Sequence, residues 1–167
     1  FQGLYDEYYR REAWAFMLSG GALYNHLDYS FAVGKEDGTN IVRKPTPGGG
    51  SPALRRQIGV MKRFLEQFDF VRMRPLDAES IKGLLSADCK AYMLAEDSRQ
   101  YAIYGTGKVR NFSVMLPAGK YRTTVLNPIN GTYSTKNIAH TGGNYVIEIQ
   151  DSVKLYDEIA VGFIKED

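Results

Sequence analysis

The pattern of apolar residues changes at Pro75, and this change limits the possible folds more than any other feature of the sequence. Up to Pro75 the apolar spacing is that of helices, joined by a long loop rich in glycine and proline. After Pro75, short apolar runs recur at intervals of about 8 to 14 residues, with turn-forming residues between them. The runs are residues 89–95, 101–104, 112–116, 121–126, 133–138, 145–149 and 159–164. They predict an antiparallel β-sandwich over residues 76–167, after a separate domain at residues 1–75.

Residues 51–68 predict an amphipathic helix. Ser51 is a suitable N-cap, and Pro52 suits the first helical position. The apolar residues that follow are spaced four, three, four and three positions apart, and they are Leu54, Ile58, Met61, Leu65 and Phe68, with Phe64 beside them. Such a stripe must be covered by another element, and we expect the strand before it to do so.

Residues 5–19 predict another helix, which Gly20 and Gly21 end. Residues 20–31 then begin with small residues, pass through Leu23 and Tyr24, and finish in polar and aromatic side chains. This is the pattern of an inner strand of a β/α barrel where it emerges at the functional face. One strand and two helices cannot close a barrel. We therefore expect an α+β chain that holds the last strand-helix segment of a TIM barrel and then the sandwich, with the remainder of the barrel upstream of Phe1.

Five residues near the end of the predicted strand are candidates for binding a ligand, and they are Tyr24, Asn25, His26, Asp28 and Tyr29. Together they supply hydrogen-bonding groups for hydroxyls and aromatic faces for an apolar surface. Alternation along a strand lets only some of them face a pocket. In the alternative interpretation, Asn25 and Asp28 form Asx turns in a structural loop. We assign Asp28 to binding a hydroxyl or to holding His26 in one tautomer.

Composition excludes several classes of function. A net charge of +2 gives no support for a nucleic-acid or membrane partner. The arginines before Pro75 are interpreted as solvated helix faces, and they are Arg10, Arg11, Arg55, Arg56, Arg63, Arg72 and Arg74. A lone cysteine, Cys89, excludes an internal disulfide and a cysteine-based zinc cluster. Phosphate-binding loops, dinucleotide fingerprints and calcium loops are absent from the sequence, so we expect no cofactor and no metal.

Several motifs resemble the bacterial apiosidase-like glycoside hydrolases, which are TIM-barrel enzymes with a C-terminal β-sandwich. These motifs are RREAWAFMLSGGA (10–22), YNHLDYSF (24–31), PGGGSP (47–52), FVRMRP (70–75), YAIY (101–104), LPAGKY (116–121) and NPING (127–131). The resemblance covers most of the chain. It implies that the catalytic carboxylate pair, near the ends of the fourth and seventh barrel strands, precedes this chain. No catalytic residue is therefore assigned here, since one strand end cannot supply both carboxylates.

The resemblance implies the C-terminal part of a secreted or periplasmic glycoside hydrolase that acts on O-glycosidic bonds of plant or bacterial polysaccharide. This part would supply some of the sugar-binding rim and an accessory sandwich. The sandwich segment also resembles a domain family named for collagen binding. The alternative is a non-catalytic carbohydrate-binding or matrix-binding module, in which tyrosines after Pro75 would stack on sugars. That alternative leaves residues 14–70 without a role.

Overall fold

The computed structural model describes residues 6–25, 28–42, 48–77, 81–82, 89–107, 111–148 and 157–166, and only the backbone of residues 81, 82, 111, 112 and 148. Within this part the helices are α1 (Asp6–Leu18), α2 (Pro52–Leu65) and a 3₁₀ turn (Phe70–Arg72). The strands are β1 (Arg74–Leu76), β2 (Ile81–Lys82), β3 (Lys90–Glu96), β4 (Gln100–Thr106), β5 (Asn111–Leu116), β6 (Gly119–Leu126), β7 (Tyr133–His140), β8 (Gly143–Glu148) and β9 (Glu158–Glu166).

Both predicted helices are confirmed. Ser51 caps α2, because its hydroxyl accepts a hydrogen bond from the Leu54 backbone N–H, and Pro52 is the first helical residue. The same hydroxyl donates to Asp6 Oδ2 at 2.5 Å and so joins the starts of α1 and α2. The predicted apolar stripe of α2 lies in the core, where its buried members are Leu54, Met61, Phe64 and Leu65. Ile58 is half-buried against this core.

The predicted strand at residues 20–31 is wrong for the residues described there, 20–25 and 28–31, which form turns and loop. A strand needs neighbouring strands to take its backbone hydrogen bonds, and this segment bonds to turn and loop residues instead. Phe31 N donates to Asp28 O, and Tyr29 N donates to Gly48 O. The stripe of α2 accordingly packs against α1 and the sheet instead of a preceding strand. That residues 1–75 complete a barrel stays a prediction.

The strands form two antiparallel sheets. One has six strands in the order β1-β3-β4-β9-β6-β7, and the other has three in the order β2-β5-β8. All seven predicted strands are confirmed as β3 to β9. The two strands that the sequence did not indicate are short, and β1 lies at a sheet edge, where its Pro75 is tolerated.

The central strands β4 and β9 of the six-stranded sheet are buried on both faces, whereas the edge strands β1 and β7 are mostly exposed. Along β4, Ala102 and Tyr104 point toward the helices, whereas Tyr101 and Ile103 point toward the three-stranded sheet. This follows from the two-residue alternation of a strand. The described chain therefore has three layers: the helices, the six-stranded sheet and the three-stranded sheet. The antiparallel sandwich and the α+β class are confirmed, and side chains from both predicted domains share the core under the helices.

Candidate functional site

Three of the five predicted site residues line one concavity of about 290 Å³ near the start of α2. We call it the Tyr24 pocket, and its lining is Tyr9, Tyr24, Asn25, Asp28, Leu54, Arg55 and Ile58. Tyr29 does not line it and is 47% exposed. His26 lies outside the described residues. The structure thus brings Tyr24, Asn25 and Asp28 together, although the segment is a loop and not a strand.

The Tyr24 hydroxyl is held by α1. It donates a hydrogen bond to Glu12 Oε2 at 2.9 Å. Burial raises the pKa of Tyr24 above its ordinary range, and the hydrogen bond to the Glu12 carboxylate raises it further. The hydroxyl therefore stays protonated. Because this donor is already used, Tyr24 offers a ligand the face of its ring.

Asp28 is held by its own loop and by α2. Its Oδ1 accepts from Ser30 N at 3.0 Å and from Ser30 Oγ at 2.5 Å, and its Oδ2 accepts from Arg55 Nη1 at 3.1 Å. Burial alone raises the pKa of Asp28, but the hydrogen bonds from Ser30 and Arg55 outweigh it, and the pKa lies below its ordinary value. The Asx turn of the alternative interpretation is therefore present at Asp28. Gly50 lies so close to the Asp28 carboxylate that a Cβ at position 50 would be 2.2 Å from Asp28 Oδ1.

The pocket has the groups to bind a polar ring but not to cleave a glycosidic bond. Asn25 is exposed and can hydrogen-bond a hydroxyl, while Leu54 and Ile58 supply an apolar wall. Asp28 is the only carboxylate among the described lining residues. A glycosidase needs two carboxyl groups about 5 to 10 Å apart. The described lining therefore has the chemistry for binding a ligand and lacks the carboxylate pair for cleaving a glycosidic bond.

Sequence reasoning missed Tyr9 and Arg55 in this pocket, because both come from helices and reach it only through the tertiary fold. It also missed a buried network around Glu158, which is fully buried on β9. Arg10 Nε donates to Glu158 Oε2 at 2.9 Å, and Tyr104 donates to the same oxygen at 2.9 Å. Interpreting Arg10 as part of a solvated face was wrong, since it is only 5% exposed. The single sequence signal was a glutamate at the start of an apolar run.

The described residues contain no group of three histidine, cysteine, aspartate or glutamate side chains placed to hold a metal ion. In the same part of the chain, neither helix has the length and apolar character needed to cross a membrane.

No protein-family model and no curated protein matches the sequence. Solved structures do match the fold. A glycoside hydrolase family 5 protein from Bacteroides vulgatus ATCC 8482 matches with a TM-score of 0.65 and 15% identity, over 96% of this chain and 36% of that one. A protein described as a glycoside hydrolase matches with a TM-score of 0.54 and 14% identity, over 78% of this chain and 32% of that one.

The chain therefore spans about a third of the length of these two structures. At such low identity the likeness establishes the fold: the helices and the sandwich of this chain are arranged as in part of a glycoside hydrolase.

Proposed function

We propose that the chain is the C-terminal part of a secreted or periplasmic glycoside hydrolase that acts on O-glycosidic bonds of plant or bacterial polysaccharide. In this proposal residues 1–75 complete a (β/α)8 barrel of the apiosidase-like type, and residues 76–167 are its accessory sandwich. The observation that carries the proposal is the likeness to a family 5 protein over 96% of this chain. A free-standing binding module would consist of the sandwich alone and would leave helices α1 and α2 without a role.

Exposed apolar side chains between α1 and α2 support the proposal. Leu23 is 77% exposed, Ile41 is 65% exposed and Val33 is fully exposed. Large apolar side chains gathered on one segment are typical of surfaces that another part of a protein covers. The remainder of the barrel is the covering part in this proposal.

The Tyr24 pocket has a positioning role in the proposed enzyme. The Tyr24 ring stacks on a sugar, and the exposed Asn25 amide bonds a hydroxyl, while Arg55 and Ser30 hold Asp28 in place. His26 and Tyr29 remain members of the proposed rim. The carboxylate pair that breaks the bond belongs to the remainder of the barrel, because the described pocket lining supplies one carboxylate only.

The test uses the intact enzyme that contains this chain and measures hydrolysis of aryl glycosides and plant oligosaccharides. Asn25→Ala or His26→Ala should lower kcat/KM about 2- to 13-fold, which corresponds to the loss of one neutral hydrogen bond. The loss can reach about 100-fold if the substrate is also misplaced. Turnover should stay measurable in both variants. Asn144→Ala is the matched control, because Asn144 is exposed on β8 in the sandwich, and it should have no effect.

The 167-residue chain alone should hydrolyse none of these substrates. Turnover by the chain alone that Asp28→Asn abolishes would place the chemistry in this segment and overturn the proposal. An intact protein that hydrolyses no glycoside would overturn it as well.

A further inference from the structure

A groove lined by arginines runs along the exposed side of α2. It consists of two adjoining concavities of about 620 and 380 Å³, and Val60 and Arg63 line both. One wall is α2, and the other consists of β6, β7 and the turn between them. We call it the α2 groove. Arg55 lines its first concavity and also the Tyr24 pocket, so the groove and the pocket meet at Arg55.

The α2 groove carries positive charge that is compensated only in part by described carboxylates. Its arginines are Arg55, Arg56, Arg63 and Arg122, and no aspartate or glutamate is among its described lining residues. Arg55 pairs with Asp28. The other three arginines form no ion pair with a described residue. Since the whole chain has a net charge of only +2, this is a local concentration of charge that attracts anions.

The strand wall of the groove adds an aromatic ring and hydroxyls. Tyr133 is 71% exposed and pairs with Leu126, whose side chain lies on the helix side of the sheet. Tyr133 therefore faces the groove. Thr124 of β6 and Thr135 of β7 form the pair two residues away from the Leu126–Tyr133 pair, so they face the groove as well. An exposed tyrosine ring beside hydroxyls offers stacking and hydrogen bonds to a sugar ring.

The turn that joins the two strands is well ordered by its own hydrogen bonds. Asn127 Oδ1 accepts from the backbone N–H groups of Ile129 and Asn130, at 2.7 and 3.2 Å. Gly131 has a φ of +75° and approaches α2 so closely that a Cβ there would lie 2.9 Å from Val60 Cγ2. The two walls are thus held at a fixed spacing, which lowers the entropic cost of binding.

We propose that the α2 groove binds a carboxylated glycan, that is, an oligosaccharide that contains uronate residues. Arginine forks bind carboxylates through paired hydrogen bonds, which Arg63 and Arg122 supply, and Tyr133 stacks on a sugar ring. The choice of a glycan over other anionic polymers rests on the proposed function and on the groove's continuity with the Tyr24 pocket. A glycan in the groove would lead its chain toward that pocket.

The test is isothermal titration of the 167-residue chain with an α-1,4-linked galacturonate hexamer, and with a neutral galactose oligomer of the same length. The uronate should bind at least about tenfold more tightly than the neutral oligomer, and added salt should weaken it. Arg63→Gln and Arg122→Gln should each weaken binding about tenfold or more. Tyr133→Ala should weaken it about two- to tenfold.

Lys136→Gln is the matched control. It removes one positive charge from β7, on the face opposite Thr135 and Tyr133, and it should leave binding unchanged. Thermal melts of every variant should remain within a few degrees of the unaltered chain, so that weaker binding reports the groove.

Absence of uronate binding, or an equal loss in Lys136→Gln and Arg122→Gln, would overturn the inference. Equal affinity for a single-stranded DNA of the same charge would also overturn it, in favour of a general polyanion surface. These results concern affinity for oligosaccharides. The proposed function is tested separately, by hydrolysis with the intact enzyme and its Asn25→Ala variant, so failure of one can be distinguished from failure of the other.

Discussion

The buried carboxylate of Glu158 should contribute more to the free energy of unfolding than any other ionised group described here. Glu158 opens β9 and is fully buried, while Arg10 of α1 is 5% exposed. Arg10 donates to both carboxylate oxygens, at 2.5 and 2.9 Å, and Arg11 Nε donates at 3.1 Å. Burial alone lowers the pKa of Arg10, but Glu158 outweighs it and holds that pKa above its ordinary value. Arg10 therefore stays charged at neutral pH, and its ion pair with Glu158 joins α1 to β9.

The perturbation is Glu158→Gln, which keeps the shape of the side chain and removes its charge. The guanidinium of Arg10 would then be buried without a counter-ion. Breaking a buried ion pair from one side costs about 3 to 5 kcal/mol, a large part of the roughly 5 to 15 kcal/mol that stabilises a domain. Tyr104→Phe removes only the hydrogen bond to Glu158, and we expect a loss of about 1.5 to 3 kcal/mol.

Urea unfolding at pH 7, followed by circular dichroism and by Trp14 fluorescence, measures both losses. Trp14 is a suitable probe because it is the single tryptophan and its ring stacks on that of Tyr104 at 5.1 Å. Glu66→Gln is the matched control, since Glu66 forms an exposed pair with Lys62 and should lose less than about 1 kcal/mol. If Glu158→Gln were as stable as Glu66→Gln, the network would not hold α1 to the sheet.

Two further substitutions test the core and the Tyr24 pocket. Leu65→Ala should lower the free energy of unfolding in urea by about 2 to 5 kcal/mol, because Leu65 is buried. Lys62→Ala is the control and should change it by no more than about 0.5 kcal/mol, because Lys62 is exposed. Equal stability of the two variants would show that the wrong face of α2 has been assigned to the core. Asp28→Asn should cost about 1 to 2 kcal/mol at pH 7 through its bonds with Ser30 and Arg55. The folded pKa of Asp28 is lowered, so this stabilisation is fully present above about pH 4 and is lost as the pH falls through the folded pKa. A stability difference that does not shrink as the pH is lowered below about 4 would contradict the assignment.

Elements with a strong local pattern could be predicted from the sequence. The cap of α2 needs only Ser51 and Pro52, and its stripe repeats with the period of a helix. The strands β3 to β9 follow from apolar runs between turns. The segment at residues 20–31 has an apolar and aromatic composition, but its described residues pair with no strand in the described part of the chain. A local sequence pattern does not show whether a partner strand is present.

The candidate site could be predicted only in part, for the same reason. Tyr24, Asn25 and Asp28 are near in sequence, and they do meet in one pocket. Arg55 joins them from 27 residues away, and Arg10 meets Glu158 across 148 residues. Contacts of this kind depend on how the layers stack, which residue spacing does not encode.

The helix α2 explains why the pocket, the groove and the core cannot be altered independently. Its buried side chain Phe64 packs against Trp14 of α1, with the two ring centroids 5.4 Å apart. Gly162 of β9 leaves room for Phe68, since a Cβ at position 162 would lie 2.7 Å from that ring. The opposite side carries Arg56 and Arg63 of the α2 groove, which are seven positions apart and therefore on one face. Packing on one side thus fixes the positions of the charges on the other. A substitution that shifts α2 on the sheet would displace Arg55 from Asp28 and change the groove at the same time.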